Sequence, residues 1–290
     1  EAVVGDVDAD ETGSGDDGQL ISGFFDTLPS INIRILTILV AVLGVLALFR
    51  VILVFPAIFR NGDIVLAGND PYGHRYWVEE LLRTRPAFDF STLSQLPERG
   101  YMQNTLMVTI MWWFASLLGG SSKAAGQVLA WYPPIAGVIS GAFVYLISVR
   151  ATGDRRIGIA AVLILAVTPV HAFRTMLGFG DHHAFDFLWV SATAYGLLVL
   201  ASGSFDGRLE CFEFIKRSWG AIILVGTGIA SNTLGWTGGP LLIFPIGLYL
   251  FVRVLFDVSN DQSPVLENSP VLLGLTLGAF LSVIPHLLFG

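Results

Sequence analysis

Charged residues are scarce in this 290-residue chain: they make up 13%, about half of the roughly 25% found in soluble domains. Apolar residues make up 53%, and the mean hydropathy is +0.68. The low charge argues against an ordinary soluble domain. The apolar residues also occur in blocks, and about 20 of them in a helix cross the hydrocarbon of a membrane. The sequence therefore predicts an all-α protein, a multi-pass transmembrane helical bundle.

Cysteine is nearly absent as well. The single Cys211 excludes an internal disulfide and a metal site built from several cysteines. The chain also lacks a P-loop, a glycine-rich dinucleotide motif and a basic stripe, so no nucleic-acid partner is expected. Lysine is rare, with two residues against fourteen arginines. The scarcity of lysine and the excess of acid are typical of a salt-adapted organism.

Residues 1–30 differ from the rest of the chain. They hold eight acidic residues and no basic one, whereas the remainder is close to neutral, with sixteen basic and fifteen acidic residues. A segment rich in glycine and aspartate cannot bury a core, so we predict an acidic, disordered cytoplasmic tail. Because the chain begins with Glu1 and ends inside an apolar run, we expect it to be a fragment of a longer protein.

The rest of the chain, 31–290, is predicted to be a transmembrane catalytic domain with about seven spans. The spanning runs are 35–59, 127–149, 157–172, 184–202, 219–234, 240–256 and 271–289. A further run, 105–118, has about 14 residues and is short for a span. We predict an interfacial helix there, with Trp112 and Trp113 at the level of the lipid headgroups.

The choice of an interfacial helix for 105–118 fixes the predicted topology. It places the arginine-rich loop 150–156 in the cytoplasm, as the positive-inside rule prefers. It makes 58–126 a helical first external loop and puts 173–183 on the same outer face. Arg50 interrupts the first apolar run and needs a polar partner or an interfacial depth, but the sequence assigns it no role.

The first external loop contains Asp70-Pro71-Tyr72-Gly73-His74. An Asp-Pro pair before a helical pattern predicts a helix start, with Asp70 as the N-cap and Pro71 as the first helical residue. That ordinary cap is the simpler interpretation from the local pattern. His74 lies one turn into the predicted helix, on the same side as Asp70.

The second external loop contains Asp181-His182-His183, at the point where one apolar run ends and the next begins. Asp181 could cap the following helix. However, ionisable residues at the edge of hydrocarbon are costly and often functional, and carboxylate and imidazole groups bind divalent cations. Three adjacent donors do not complete a metal site. The topology places Asp70 on the same face, where it could contribute.

In this order and at this separation, the two loops resemble those of the oligosaccharyltransferase catalytic subunit, closest to the archaeal AglB type. In that family an Asp followed by Pro-Tyr and then a His or Asn lies in the first external loop, as in Asp70-Pro71-Tyr72 and His74 here. The Asp-His-His form of the second loop is typical of archaea. The family's Trp-Gly-Gly segment appears as Trp236-Thr237-Gly238-Gly239, with an extra Thr.

The resemblance implies an archaeal source, halophilic if the composition is included. It also implies transfer of a dolichyl-linked oligosaccharide to an acceptor polypeptide at Asn-X-Ser/Thr, in the cell membrane, with the active site on the external face. Asp70 would contact the acceptor amide and the metal, Mn²⁺ or Mg²⁺; Asp181 and His183 would be metal ligands. His182 and His74 would meet the lipid-phosphate side. The family's later Glu ligand and its sequon-binding C-terminal domain are not in this chain.

Two alternatives remain open from the sequence. An ion- or proton-coupled transporter could use Asp181 and His183, although such proteins place polar residues near the bilayer midplane and often show internal symmetry. Another lipid-linked glycosyltransferase, such as a protein O-mannosyltransferase, also carries an acidic residue in its first external loop. The Asp-His-His loop separates that class from the oligosaccharyltransferases.

Overall fold

The computed structural model describes residues 32–94, 105–236 and 238–289, so the predicted tail 1–30 lies outside the described residues. The helices, in chain order, are α1 Ile33–Val51, α2 Phe55–Ile58, α3 Asp70–Thr84, α4 Thr105–Leu117, α5 Ser122–Thr152, α6 Arg155–Val167, α7 Pro169–Arg174, α8 His182–Leu200, α9 Arg208–Arg217, α10 Trp219–Gly235, α11 Pro240–Ser259 and α12 Pro264–Phe289, with a 3₁₀ turn at Phe90–Leu93.

The predicted helical bundle is confirmed. Within the described ranges the only strands are β1 Phe59–Arg60 and β2 Asp63–Ile64, which pair antiparallel in the first loop. Four helices, α1, α5, α8 and α12, are long and apolar enough to cross a membrane. Many large apolar side chains on α1, α11 and α12 are exposed, as expected for surfaces that face lipid. The count of seven spans stays a prediction.

The first loop forms a packed layer on the bundle. Helices α3 and α4 pack against the N-terminal half of α5, and their apolar side chains form one continuous core. Trp112 lies inside this core and is completely buried. The indole of Trp112 therefore packs against protein, whereas Phe114 and Leu117 of the same helix are exposed. The predicted level of α4 at the lipid headgroups stays a prediction.

The predicted run 157–172 is not one helix. It divides into α6 and α7 at Thr168, whose backbone is extended, and Pro169 begins α7. Proline lacks the amide hydrogen that would continue the helix and disfavours the α conformation in the residue before it. The break turns the chain towards the second loop. That loop then enters α8 at His182.

Close approach between helices is allowed by small residues. A Cβ atom added to Gly158 would lie 2.7 Å from the Tyr145 ring, and one added to Gly196 would lie 2.8 Å from Val225. These glycines let α6 approach α5 and let α10 approach α8. Without a hydrophobic effect between helices in lipid, such close packing is a main source of their association.

Candidate metal centre

The second loop is fixed by backbone hydrogen bonds to other elements. Gly178 donates its N–H to the carbonyl of Ala130 on α5, and its own carbonyl accepts from the N–H of Ala67, both at 2.9 Å. Gly178 has a φ of +83°, which glycine adopts readily. At Gly180 a Cβ atom would lie 2.7 Å from the carbonyl oxygen of Leu129. Glycine therefore allows the loop to lie directly on α5.

Asp181 is the centre of the site and is 1% exposed. Its Oδ1 accepts the backbone N–H of His182 at 2.7 Å, which caps α8, and lies 2.8 Å from His182 Nδ1. Its Oδ2 lies 2.7 Å from His183 Nδ1. An ionised carboxylate only accepts hydrogen bonds, so both Nδ1 atoms carry hydrogen and donate. Both imidazoles are thus oriented by one carboxylate.

Electrostatics keep this carboxylate ionised. Burial alone would raise the pKa of Asp181, but the hydrogen bonds from His182 and His183 outweigh burial and hold the pKa well below its ordinary value. The Nη1 atom of Arg174 lies 3.7 Å from Oδ2 and adds a positive charge nearby. Asp181 is therefore an anion across the physiological pH range, as a metal ligand must be.

Aromatic and charged neighbours surround the cluster. The His182 ring stacks between the rings of His183, at 4.2 Å, and Trp236, at 5.1 Å. The hydroxyl of Tyr132 donates to the backbone carbonyl of Asp181. Asp186, one turn into α8, has its Oδ2 3.8 Å from His182 Nε2. These contacts fix the plane of His182 and add a second carboxylate beside it.

Arg174 is held at the edge of the site by aromatic rings. Its guanidinium carbon lies 5.6 Å from the ring centre of Phe173 and 5.1 Å from that of Phe179, and the side chain is about one-third exposed. A cation over two rings keeps its charge while its position is restricted. An anion that approached the cluster from solvent would meet this charge.

The first loop reaches the same place through α3. His74 is completely buried, and its Nδ1 lies 3.0 Å from the carbonyl of Gly180, to which it donates. Asp70 is exposed, and its charge acts on both His74 and His182. The helix begins at Asp70, and Asn69 occupies the cap position without a side-chain hydrogen bond. The prediction that Asp70 is the N-cap is therefore wrong by one residue.

The donor set fits a divalent cation in part. One ligand atom from each of Asp181, His182 and His183 can lie within 4.8 Å of the others. Ligands bound at about 2.0–2.6 Å to one ion have this spacing. A carboxylate and two imidazoles would leave positions for further oxygen ligands. Asp70 lies outside this group, so its predicted direct coordination stays a prediction.

The structure thus brings Asp181, His182 and His183 together, with Asp70 and His74 on the adjoining helix. Sequence analysis missed Arg174, Asp186 and Trp236 as neighbours of the cluster. Only Asp186 had a local signal, since it follows His182 by four residues on one helix face. Trp236 approaches from a distant part of the chain, whereas Arg174 ends α7 only seven residues before Asp181.

The fold and the site together define a class of protein: a helical membrane bundle with an Asp-His-His cluster at the end of a membrane-length helix. The sequence profile described as "Oligosaccharyl transferase STT3, N-terminal" matches residues 86–289, more than two thirds of the chain. The chain belongs to the STT3 family. Asp70 and His74 precede the matched residues. Membership in this family argues against the transporter alternative.

The similarity to an individual relative agrees with this family assignment. Over 185 residues the chain is 27% identical to dolichyl-phosphooligosaccharide-protein glycotransferase 3 of Archaeoglobus fulgidus, covering 62% of this chain and 21% of that protein. The chain therefore spans about a fifth of that relative's length.

Two solved structures from the same organism share the fold. One is the archaeal oligosaccharyltransferase AglB in complex with an inhibitory peptide and a dolichol-phosphate (TM-score 0.71, 21% identity, 86% of this chain and 29% of that chain). The other is the oligosaccharyltransferase complex with Zn and sulfate (TM-score 0.68, 22% identity, 87% of this chain and 31% of that chain).

Proposed function

We propose that this chain is the membrane-embedded catalytic part of an archaeal oligosaccharyltransferase. Its substrates would be a dolichyl-linked oligosaccharide and an acceptor polypeptide with Asn in an Asn-X-Ser/Thr sequon. The observation that carries the proposal is the Asp181-His182-His183 cluster, with Asp181 buried and both histidines half-buried, at the start of a membrane-length helix in a chain of the STT3 family. The name of the glycotransferase relative, and the peptide and dolichol-phosphate in the AglB complex, support these substrates.

The chain's own residues suggest how the acceptor is handled. An amide nitrogen is a poor nucleophile because its lone pair is delocalised into the carbonyl. Asp70 is exposed at the start of α3 and adjoins the cluster, so its carboxylate is available to accept a hydrogen bond from the acceptor NH₂. Turning the nitrogen lone pair out of conjugation would favour its attack on the sugar carbon as the bond from that carbon to the lipid phosphate breaks. Asp70 would then carry the acceptor-facing role.

A divalent cation, Mn²⁺ or Mg²⁺, held by Asp181 and His183 would supply Lewis-acid stabilisation of the departing lipid phosphate. The relative solved with Zn and sulfate supports a cation and an anion in such a site. Arg174 beside the cluster and His182 within it would favour the negative phosphate there. His74 is buried against Gly180, so we propose that it positions the loop rather than contacting the lipid phosphate directly.

The same proposal places the protein in the cell membrane as a multi-pass protein with the active site on its outer face. A lipid carrier explains this location, because its tail stays in the hydrocarbon while its phosphate reaches the surface. The membrane-length helices support the first part. The arginines at the C-terminal end of α5 and the N-terminal end of α6, away from the Asp-His-His cluster, support the orientation.

Substitution in the full-length protein tests the proposal. Asp70→Ala, Asp181→Ala and His183→Ala should each lower glycan transfer to an Asn-X-Thr peptide by about 100-fold or more, since even outer partners of metal ligands contribute roughly 10–100-fold. Asp63→Ala, which removes an exposed carboxylate of the same loop, should stay near the wild-type rate. Transfer to a labelled peptide is measured across a Mn²⁺ titration.

The titration separates the roles. Excess Mn²⁺ should partly restore His183→Ala, which has lost a ligand, but not Asp70→Ala, which has lost the acceptor contact. Near-normal turnover by Asp181→Ala would leave Asp181 as a helix cap only and defeat the metal centre. Equal rescue of His183→Ala and Asp70→Ala would keep the metal centre but remove the acceptor role of Asp70.

A further inference from the structure

Arg50 is a buried cation in a membrane-length helix. It lies in the last turn of α1 and is 0% exposed. Within the described ranges no carboxylate lies within 4.0 Å of its guanidinium, so neutral groups must satisfy it. A charge at this depth is costly and persists where it has a function or a strong set of partners.

Four acceptors surround the guanidinium. Nε donates to Thr175 Oγ1 at 2.8 Å, and Nη1 donates to the carbonyl of Ala166 at 2.8 Å. Nη2 lies 3.1 Å from the carbonyl of Leu165 and 3.0 Å from His171 Nδ1. Lysine could not reach this set, because its donors lie on one atom whereas those of arginine form a planar fork.

The two carbonyls explain why the cation is stable there. Leu165 and Ala166 are in the last turn of α6, where helix carbonyls lack their usual partners four residues on and the helix dipole is negative. In a continuous helix the carbonyl of Leu165 would accept the N–H of residue 169, but that residue is Pro169, and the carbonyl instead accepts the N–H of Thr168 at 3.3 Å together with that of Arg50 Nη2. Arg50 therefore occupies the polar gap that the proline break creates.

The hydrogen-bond direction at His171 is also fixed. Arginine only donates, so His171 Nδ1 accepts and the proton of the neutral ring is on Nε2. Nε2 lies 3.1 Å from Ser140 Oγ, and Ser140 Oγ lies 2.9 Å from the carbonyl of Gly137. The chain of bonds therefore connects Arg50 of α1, through His171 of α7, to α5.

The same residue contacts the loop that leads to the metal centre. Besides the bond to Thr175, the carbonyl of Arg50 accepts the N–H of Leu177 at 2.9 Å. Thr175 lies directly on α5, where a Cβ atom at Gly137 would be 2.8 Å from the Thr175 Cβ. Asp181 follows four residues after Leu177, and the segment between them is the one bonded to Ala130 and His74.

We infer that Arg50 is a positioning residue for the Asp181-His182-His183 cluster: its side chain and carbonyl fix residues 175–177, and so the start of the loop that presents Asp181. The guanidinium of Arg50 is fully buried, so it does not reach the substrate. The effect on metal affinity rests on the proposed metal-dependent function, whereas the effect on the loop does not.

The test uses full-length protein in nanodiscs. Arg50→Met keeps the length of the side chain and removes its donors, and Arg50→Lys keeps only the charge. Thr175→Val removes the hydroxyl that accepts from Nε, and Thr175→Ser keeps it. Leu46→Ala is the matched control, since Leu46 is fully buried one turn earlier on α1 and its apolar side chain takes no part in the hydrogen bonds around Arg50.

Two readouts are expected to move together. Hydrogen exchange of the peptide that covers 175–181 should become at least about tenfold faster in Arg50→Met, Arg50→Lys and Thr175→Val. Mn²⁺ dissociation constants, measured by electron paramagnetic resonance of the free ion, should rise by about tenfold. Thr175→Ser should stay within twofold of wild type. Leu46→Ala should lower the unfolding temperature yet leave both readouts within twofold.

The inference fails if Thr175→Val exchanges this peptide and binds Mn²⁺ as the wild type does. It also fails if Leu46→Ala changes both readouts as much as Arg50→Met at an equal loss of unfolding temperature, because the effect would then be general packing. If Arg50→Met does not fold, the Thr175 pair decides. A wild-type protein that binds no Mn²⁺ would defeat the proposed function, while the exchange rates would still decide the role of Arg50.

Discussion

The carboxylate of Asp181 accepts the first backbone N–H of α8 and the Nδ1–H groups of two imidazoles. The capping and functional interpretations of this residue are therefore compatible. A cap contributes about 0.5–2 kcal/mol to helix stability. The same geometry orients His182 and His183, and the resulting low pKa of Asp181 keeps the anion available for a cation. The carboxylate of Asp181 therefore serves both the start of α8 and the orientation of the two histidines.

His74 gives a prediction for pH dependence. Burial lowers the pKa of His74 below its ordinary value of 6.5, although the charges of Asp181 and Asp70 partly oppose this. The unfolded chain then binds a proton more readily than the folded protein. This histidine's contribution to stability is present above pH 6.5 and is lost as pH falls from about 6.5 towards the lower folded pKa.

His74→Gln removes this titration and keeps an N–H that can donate to Gly180. Between pH 7.5 and 5.5 the unfolding temperature of the variant should fall less than that of the wild type, by about 2–4 °C per kcal/mol of the lost linkage. Differential scanning fluorimetry in nanodiscs measures both. An equal fall in His74→Gln would show that folding does not lower the pKa of His74, and a steeper fall would show that folding raises it.

At the residue scale, sequence predicted what lies in adjacent positions. Asp181, His182 and His183 are consecutive, so their convergence needs only a helix start. Trp236 and Arg174 meet the cluster because α10 and α7 end beside it, and no local pattern encodes those ends. Arg50 was recognised as needing a partner, but two of its four acceptors are backbone carbonyls that any sequence supplies.

At the element scale, glycine lets α8 and α10 approach each other. A Cβ atom at Gly228 would overlap the side chain of Thr193 and lie 3.3 Å from the carbonyl of Trp189, both on α8. Gly247 on α11 is exposed and has nothing within 4 Å of the same position. The two glycines differ mainly in what a methyl group would meet.

Alanine at these positions should therefore have opposite effects. Gly247→Ala should be neutral or stabilise the protein by up to about 1 kcal/mol through helix propensity. Gly228→Ala should destabilise it by about 1–3 kcal/mol, because overpacking forces the helices apart. Thermal or denaturant unfolding in mild detergent compares them. A Gly228→Ala protein as stable as Gly247→Ala would mean that α8 and α10 are not packed as described.

Sequence located most elements but not their contacts. Apolar runs marked nearly every membrane helix, and Pro169 carried the signal for the break between α6 and α7, which hydropathy alone did not show. The sequence did not show that protein covers Trp112, because a short apolar run looks the same whether lipid or protein covers it. The cover is supplied by α3 and α5, on either side of α4 in the sequence.

At the scale of the whole molecule, α8 separates two ends of the bundle. Its 19 residues span about 28 Å, close to the roughly 30 Å of bilayer hydrocarbon. Asp181 lies at one end. At the other, Arg150 donates to Ser202 Oγ at 2.6 Å, and the N-terminus of α6 with Arg156 follows directly after α5. The Asp181-His182-His183 cluster and the arginine-rich turn are therefore at opposite ends of the bundle.

This separation makes the predicted orientation testable in intact cells. Tyr76 is 59% exposed on α3, two residues after His74, and Arg156 is exposed at the start of α6. In a background with Cys211→Ser, which removes the single native thiol, Tyr76→Cys should react with a membrane-impermeant maleimide added outside. Arg156→Cys should react only after permeabilisation, because basic residues are retained on the cytoplasmic side. Labelling of Arg156→Cys from outside, with Tyr76→Cys protected, would invert the protein and place the metal centre where an external acceptor could not reach it.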